Sequence, residues 1–215
     1  MSCPAPDFEG AYRLVHGQLL ALPPTLSYHS IHHTFQDVLP CCIQLAQEEG
    51  LTPERTLLVK TAALFHDTGF LDQYDKNEPF GVERARKYLP QFGYSPQQID
   101  EIAKIIMVTE CIGPGHQDPG DDICCRIMCD ADMYSIGSDC YFHRAEGLRL
   151  EIMRVKKKVL PARDWHIRNL DMVKNHHFFT ESAERILGPV KRQNIAEIGA
   201  LLSREPQTTT TTAKQ

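Results

Sequence analysis

The chain has 215 residues, of which 42% are hydrophobic, and its formal net charge is −5. This composition predicts a globular domain and excludes a disordered polymer, while the scattered charges predict no surface for a nucleic-acid polymer. No stretch approaches the ~20 apolar residues of a membrane span. The N-terminus lacks a signal-peptide pattern and the eight cysteines lack disulfide-framework spacings, so we expect a soluble, cytoplasmic protein with reduced thiols.

Apolar residues recur at spacings of three and four along most of the chain, which is the period of amphipathic helices. Alternating strand patterns joined by Asn-Gly or Asp-Gly turns are absent. A loop rich in glycine and proline is expected over residues 111–122. In chain order, the pattern predicts one all-α helical bundle, with helices over residues 28–49, 53–69, 78–89, 96–107, 123–136, 140–159, 164–176 and 181–202.

Residues that accept hydrogen bonds from exposed helix amides precede several of these segments. Ser95 and Gln98 have a capping-box pattern, and Thr52 is followed by proline at the first helical position. Three further N-caps are predicted, at Asn77, Asp164 and Thr180.

The pattern indicates a single domain over residues 1–204, with its core at about 25–190. Residues 205–215 contain five consecutive threonines and are expected to form a disordered, low-complexity tail. No heptad seam is present, so the sequence does not indicate an oligomeric state.

The adjacent residues His66 and Asp67 follow an apolar run over 57–65 that should enter the core. A carboxylate buried there needs a cation or several hydrogen-bond donors. Neighbouring residues on a regular helix diverge by ~100°, but Gly69 allows the helix to end and both side chains to approach one point. Nitrogen and oxygen ligands together suit manganese, iron, cobalt, nickel or zinc better than calcium.

Two other places carry metal-type ligands. Asp130 and Asp132 lie two apart in an otherwise apolar helix, so one should coordinate an ion while the other caps, pairs or faces water. His29 and His33 share a helical face, and either could be a ligand, whereas His32 points elsewhere. A lone histidine is more often a hydrogen-bonded core residue, and only the ordered set of histidine, His-Asp pair and later aspartate favours a metal site.

This ordered set resembles the HD superfamily of metal-dependent phosphohydrolases. The resemblance covers roughly residues 25–190. Its main motifs are Tyr28-His29-x-x-x-His33-Thr34, Leu64-Phe65-His66-Asp67-Thr68-Gly69 and Cys129-Asp130-Ala131-Asp132-Met133, with further similarity at Asn77-Glu78, Gly93-Tyr94-Ser95 and His177-Phe178-Phe179-Thr180.

Membership would imply a helical bundle that holds one divalent metal ion, of which Mn, Fe, Co, Ni, Zn or Mg are candidates. The implied ligands are His33, His66, Asp67 and Asp132. The ion would activate water for attack on the phosphorus of a small phosphomonoester, phosphodiester or nucleotide. No membrane or nucleic-acid polymer is expected as a partner.

The chain departs from particular branches of that family. Residues 72–109 contain no histidine, where two-metal members have two, so a single ion is expected. Phe70 and Leu71 occupy the positions at which guanosine-polyphosphate hydrolases carry acidic residues, and the Gly-Tyr-Pro signature of cyclic-dinucleotide phosphodiesterases is absent. These departures weaken both activities as predictions.

Catalytic and substrate-binding residues can be proposed only from position and chemistry. Asp67 is a candidate as ligand and as catalytic carboxylate, and Asp72, Glu78 and Glu83 are candidates for acid–base catalysis. His116, in the predicted loop, is expected to be exposed. The cations considered for phosphate binding are Lys60, Arg84, Lys104, Arg126 and Arg144, each of which is more typical of a helix surface.

Two other functions are consistent with these residues. The first is a diiron oxygenase-like HD enzyme, which needs more ligands than the sequence offers. The second is a non-catalytic signalling module that binds a metal or a nucleotide. Metal-dependent turnover of a phosphoester would distinguish the hydrolase from both.

Overall fold

A computed structural model describes residues 5–204, which form nine α-helices, four short helical turns and no β-strand. The predicted all-α bundle is confirmed, and the predicted tail over 205–215 lies outside the described residues. None of the described helices combines the length and apolar character that a membrane crossing requires. The helices are α1 (Phe8–Leu19), α2 (Leu39–Glu48), α3 (Pro53–Phe65), α4 (Glu78–Tyr88), α5 (Pro96–Met107), α6 (Ile123–Asp132), α7 (Tyr141–Lys156), α8 (Ala162–Asn175) and α9 (Glu181–Arg204).

Helix α1 was not predicted, although its signals are present in the sequence. The side chain of Asp7 accepts a hydrogen bond from the Gly10 amide and so caps the helix. Ala11, Val15 and Leu19 repeat every four residues and are buried. The helix therefore packs against the core by an ordinary apolar stripe.

The predicted helix over 28–49 is interrupted by a π-helical turn over His33–Val38. Pro40 follows this turn, and proline can neither donate a backbone hydrogen bond nor tolerate the usual carbonyl position four residues back. The Leu39 amide accordingly donates to the Thr34 carbonyl, five residues back. The wide turn buries His33 and Asp37 on its inner side.

Three of the predicted N-caps are confirmed. Gln98 donates its amide to Ser95 Oγ at 3.3 Å, while the Ser95 amide donates to Gln98 Oε1 at 2.9 Å, which completes the capping box. Thr52 accepts from the Arg55 amide, and Thr180 accepts from the Ala183 amide at 3.2 Å.

The other two predicted caps are not formed. Asn77 directly precedes α4 but makes no capping bond: its Nδ2 donates to Glu78 Oε1, and its Oδ1 has no hydrogen-bond partner. Asp164 lies inside the first turn of α8, since that helix begins at Ala162 after Pro161. Proline at the helix start supplies the favourable φ angle there, and the Asp164 charge complements the exposed amides.

Helix α3 lies at the centre of the bundle and packs against α1, α2, α4, α5 and α6. Between Val59 and Phe65, five apolar side chains are buried. Because they lie at nearly consecutive positions, they face several sides of the helix. A second, smaller cluster around Ile136, Tyr141 and Val173 joins α7, α8 and α9. The candidate site lies where α3 and α6 end, between these two clusters.

Candidate metal centre

Three of the four predicted metal ligands lie together in the interior. His33, His66 and Asp132 come from three different elements, and their nearest ligand atoms are all within 4.8 Å of one another. Asp132 Oδ1 is 3.2 Å from His33 Nε2 and 3.6 Å from His66 Nε2. Both imidazoles are only 1% exposed. The tertiary fold therefore brings distant residues of the chain to one point.

Asp67, the fourth predicted ligand, faces both histidines. Its Oδ2 atom lies 3.2 Å from His66 Nε2 and 3.5 Å from His33 Nε2. Helix α3 ends at Phe65, and Asp67 leaves α-helical geometry before a 3-10 turn over Thr68–Leu71. This change of backbone geometry lets two adjacent side chains approach the same point, as a regular helix would not.

Gly69 serves this turn by close packing rather than by a positive φ angle. A Cβ atom at this position would lie 1.9 Å from the Asn77 carbonyl oxygen and 2.9 Å from the Gly81 amide nitrogen. Only glycine therefore allows the start of α4 to lie against the end of α3. The contact brings Glu78 next to the metal-type ligands.

The distances from the two carboxylates to the two imidazoles, 3.2–3.6 Å, fit a bound cation, although Asp67 lies outside the group of three whose ligand atoms are all within 4.8 Å. Ligand bonds of about 2.0–2.2 Å place neighbouring ligand atoms roughly 3.0–3.5 Å apart in tetrahedral or octahedral coordination. His66 Nε2 and Asp67 Oδ2 are buried and have no hydrogen-bond partner. Buried polar atoms are normally satisfied, so a divalent ion is the partner that this set of atoms suits.

The charges of the site lead to the same conclusion. Burial by itself lowers the pKa of His66, but the adjacent carboxylates of Asp67 and Asp132 outweigh it and raise that pKa well above its usual value. Burial raises the pKa of Asp132, but the two adjacent imidazoles lower it overall. Without a metal, the two carboxylates thus favour a proton on His66, and a bound cation would replace that proton.

Hydrogen bonds behind the ligands fix their orientation. His66 Nδ1 donates to the Ala63 carbonyl at 2.8 Å, which leaves the Nε2 lone pair facing the site. Gln117 Nε2 donates to Asp132 Oδ2 at 2.8 Å and to the Thr109 carbonyl at 3.0 Å. Gln117 is 2% exposed, although it belongs to the glycine- and proline-rich loop. Sequence reasoning missed Gln117, because a single glutamine in a loop has no pattern.

The structure distinguishes the roles of the two aspartates on α6. Asp130 accepts hydrogen bonds from the Phe179 amide at 2.7 Å, the Thr180 amide at 2.9 Å and the Thr180 hydroxyl at 2.7 Å. It therefore anchors the chain at the start of α9. Asp132 is left as the carboxylate that faces the histidines.

His29 lies beside this cluster and pairs with a carboxylate of its own. His29 Nδ1 is 2.5 Å from Glu151 Oε1, and the Glu151 side chain is fully buried. Glu151 also accepts from the Tyr28 amide, the His29 amide and the Tyr74 hydroxyl at 2.8, 3.0 and 3.1 Å. The His29 ring stacks on Phe70 with centroids 4.2 Å apart. Sequence reasoning missed Glu151, since one glutamate on α7 resembles any surface residue.

The environment of His29 favours its protonated form. Burial lowers its pKa, but the hydrogen bond and charge of Glu151, together with the charges of Asp67 and Asp132, raise the pKa overall. His29 also lines a cavity of about 170 Å³ that reaches Asp132. A histidine with a raised pKa therefore faces the space beside the candidate metal centre.

Of the predicted acid–base residues, the structure brings Glu78 to the centre and places Asp72 and Glu83 elsewhere. Glu78 is buried, and its pKa is raised by that burial and by the charges of Glu110, Asp67 and Asp132. Asp72 accepts hydrogen bonds of 2.6 and 3.1 Å from Arg84. Asp72 and Glu83 line a separate surface cavity with that arginine, away from the histidines.

The five cations considered for phosphate binding are all engaged with other groups. In four of them the charge is paired with a carboxylate, and in the fifth it lies over an aromatic ring. The pairs are Arg144 with Asp37 at 2.8 Å, Arg84 with Asp72, Lys104 with Asp122 at 2.7 Å, Arg126 with Asp121 at 2.8 Å, and Lys60 with the Phe8 ring at 3.8 Å.

The cavity beside Asp132 continues outwards between the 111–122 loop and α8. It shares Gly115, Leu148, Asn169 and Met172 with a larger cavity of about 480 Å³. His116 is exposed, as expected, and lines a third cavity rather than the metal-type cluster. The described residues thus form a continuous cleft that begins at the candidate ligands.

A scan against protein-family models and searches of curated proteins and solved structures find no match to this chain. The resemblance to the HD superfamily therefore stays a prediction that rests on its motifs. The class of molecule defined by the structure is an all-α helical bundle with a buried His/His/Asp cluster suited to a metal ion.

Proposed function

We propose that this chain is a metal-dependent phosphohydrolase of the HD type. His33, His66, Asp67 and Asp132 would hold one divalent ion. The observation that carries the proposal is the pair of His29 and buried Glu151, because His29 lines the cavity that reaches Asp132 and its pKa is raised. A metal site and a proton donor facing the same cavity are the two elements that hydrolysis of a phosphoester requires.

A bound divalent ion would lower the pKa of a water molecule and polarise a phosphoryl oxygen. The histidines would bind such an ion as neutral imidazoles, because a ring-nitrogen lone pair is the ligand, and Asp67 and Asp132 would supply the negative charge. Gln117 and the Ala63 carbonyl hold Asp132 and His66 in the orientation for binding.

His29 acts as the general acid in this proposal. Its protonated ring donates to the oxygen of the leaving group as the bond from phosphorus to that oxygen breaks. Glu151 accepts the Nδ1 hydrogen, so Nε2 carries the proton that is transferred. The stacking on Phe70 restricts rotation of the ring.

Glu78 acts as the general base for water. Burial and the charges of Glu110, Asp67 and Asp132 raise its pKa, which strengthens it as a base. Asn77 donates to Glu78 Oε1 at 3.3 Å, while Oε2 is buried without a partner. Asp72 and Glu83 take no part in this mechanism.

The two other candidate functions fit the geometry less well. A diiron enzyme needs a second set of ligands, and within residues 5–204 one group of three or more metal-type side chains meets the spacing for an ion. A purely structural metal usually has a closed shell of ligands and gains nothing from a histidine–carboxylate pair facing an open cleft.

The first test compares metal content in two histidine variants of protein purified without an affinity tag. His33→Ala removes a ligand, while His32→Ala changes the exposed neighbour and is the matched control. Mass spectrometry should find about one transition-metal ion per chain in wild type and His32→Ala, and much less in His33→Ala. Absence of metal from wild type, even after reloading, would contradict the proposal.

The second test uses the leaving group to assay the acid. His29→Gln should keep its metal but lose roughly 10²–10⁴-fold in hydrolysis of an alkyl phosphoester, whose leaving oxygen needs a proton. Hydrolysis of a p-nitrophenyl ester, which leaves as a stable anion, should decline much less. Equal losses with both esters would show that His29 is not the general acid.

A further inference from the structure

The carboxylates around the candidate centre would match the charge of one divalent ion. Asp67 and Asp132 would offset its two charges, while His29 faces the carboxylate of Glu151. Glu78, the proposed general base, adds a negative charge when it is ionised. The centre therefore offers no surplus positive charge, so a second negative charge on the substrate raises the electrostatic cost of binding.

The cleft leading to the centre adds no compensating charge. The inner cavity has no lysine or arginine among its lining residues, and Met133, Ile136, Leu148 and Met172 make much of its wall apolar. The outer cavity is lined by one cation, Arg168, and one anion, Asp171, so its lining carries no net charge. The nearby Arg144 forms an ion pair with Asp37, to which its Nη2 donates a hydrogen bond of 2.9 Å.

We propose that the substrate is a phosphodiester with a single negative charge and an apolar or aromatic substituent, rather than a phosphomonoester dianion or a polyphosphate. This inference rests on the proposed function. The apolar inner wall and the outer cavity of about 480 Å³ would receive the substituent. The phosphoryl group would lie beside Asp132, at the candidate metal ligands.

The reaction then consumes one water molecule for each diester. The water oxygen forms a bond to phosphorus, and one of the two ester P–O bonds breaks. Glu78 takes a proton from the water, and His29 gives a proton to the departing oxygen. The products are a phosphomonoester and an alcohol or phenol, and proton return from Glu78 to His29 through solvent restores both residues.

The test compares two esters with the same leaving group on metal-loaded, full-length protein. Bis(p-nitrophenyl) phosphate is a monoanionic diester, and p-nitrophenyl phosphate is a dianionic monoester at alkaline pH. We expect kcat/KM for the diester to exceed that for the monoester by at least about tenfold. Diphenyl phosphate should likewise inhibit more tightly than phenyl phosphate, which reports binding without turnover.

The possible outcomes separate this inference from the function on which it rests. Faster turnover and tighter binding of the monoesters would overturn the diester assignment and leave the phosphohydrolase standing. Failure of the metal-loaded protein to hydrolyse either ester would remove the phosphohydrolase and the inference together.

A charge added to the cleft provides an independent check. Met172 lines both the inner and the outer cavity. Met172→Lys should shift the ratio of kcat/KM towards the monoester by about tenfold relative to the neutral variant Met172→Gln, which controls for the loss of the methionine side chain. An unchanged ratio in correctly folded Met172→Lys would contradict the electrostatic argument.

Discussion

His66 illustrates how single residues are oriented for the proposed chemistry. One ring nitrogen is occupied by the Ala63 carbonyl, so the other is left for an ion. Asp132 is oriented in the same manner, because Gln117 occupies Oδ2 and Oδ1 faces the two imidazoles. At this scale the site depends on groups that touch the ligands as much as on the ligands themselves.

Gln117→Leu should therefore weaken metal binding by about 10–100-fold, because it removes the hydrogen bond that holds Asp132. Competition with a fluorescent chelator would measure the affinity. Gln97→Leu, on the exposed side of α5, is the matched control and should bind metal like wild type. Wild-type affinity in folded Gln117→Leu would show that this hydrogen bond does not orient Asp132.

At the scale of elements, the ends of helices form the site. Helix α3 ends at Phe65 and delivers His66 and Asp67, while α6 ends at Asp132. The π-helical turn before α2 positions His33. Helix ends can aim side chains in directions that a continuous helix cannot, which explains why these ligands collect there.

Gly69→Ala should destabilise the protein by about 1–3 kcal/mol, because the new methyl group would collide with the backbone at Asn77. The displaced turn should also weaken metal binding, since Asp67 immediately precedes it. Gly17→Ala is the matched control, because Gly17 occupies an exposed position of α1 with open space around it. This substitution should stabilise the protein by about 0.5–1 kcal/mol. Chemical denaturation measures both, and equal stability of the two variants would refute the packing argument.

At the scale of the whole molecule, the candidate ligands join separate parts of the bundle. His33 precedes α2, His66 follows α3 and Asp132 ends α6, so one ion would connect three elements that meet only through tertiary packing. A ligand bound to the folded state alone adds about 2.7 kcal/mol at a hundred times its dissociation constant. Metal loading should therefore raise the midpoint of thermal unfolding.

The pH dependence of stability should differ between metal-free and metal-loaded protein. In the metal-free form, burial lowers the pKa of His66, but Asp67 and Asp132 raise it well above its unfolded value of about 6.5. The stabilisation from protonated His66 is present below that unfolded value and is lost as the pH rises through the folded pKa. Denaturation of the metal-free protein should thus show falling stability from pH 6 to pH 9.

Metal affinity should rise with pH, in contrast to the stability of the metal-free protein, because the ion displaces protons from the histidines. For each proton that the ion displaces, raising the pH by one unit strengthens apparent binding by at most about tenfold. The increase ends at the pH at which the histidine is already deprotonated in the metal-free protein. Calorimetry in buffers of different ionisation enthalpy would count the protons released. Affinity that is constant between pH 6 and pH 8, with no proton release, would contradict a site that contains protonated histidine.

The sequence by itself determined the all-α class and most helices and indicated where metal-type ligands lie, because helical periodicity and ionisable residues in apolar runs are local signals. The particular set of His33, His66, Asp67 and Asp132 came from the resemblance to the HD superfamily. The residues alone did not show whether Asp130 or Asp132 is the metal ligand. Nor did they separate Glu78 from Asp72 and Glu83 as a candidate for acid–base catalysis. Those choices depend on which side chains meet in space.

Only the tertiary structure decided the partners that complete the site. Glu151 and Gln117 have no sequence pattern, yet they contact His29 and Asp132 across 122 and 15 residues of chain. The sequence likewise did not predict that each of the five candidate phosphate-binding cations is engaged with another group. Patterns along a chain report burial and local geometry, whereas charge balance and hydrogen-bond partners arise when separate helices pack together.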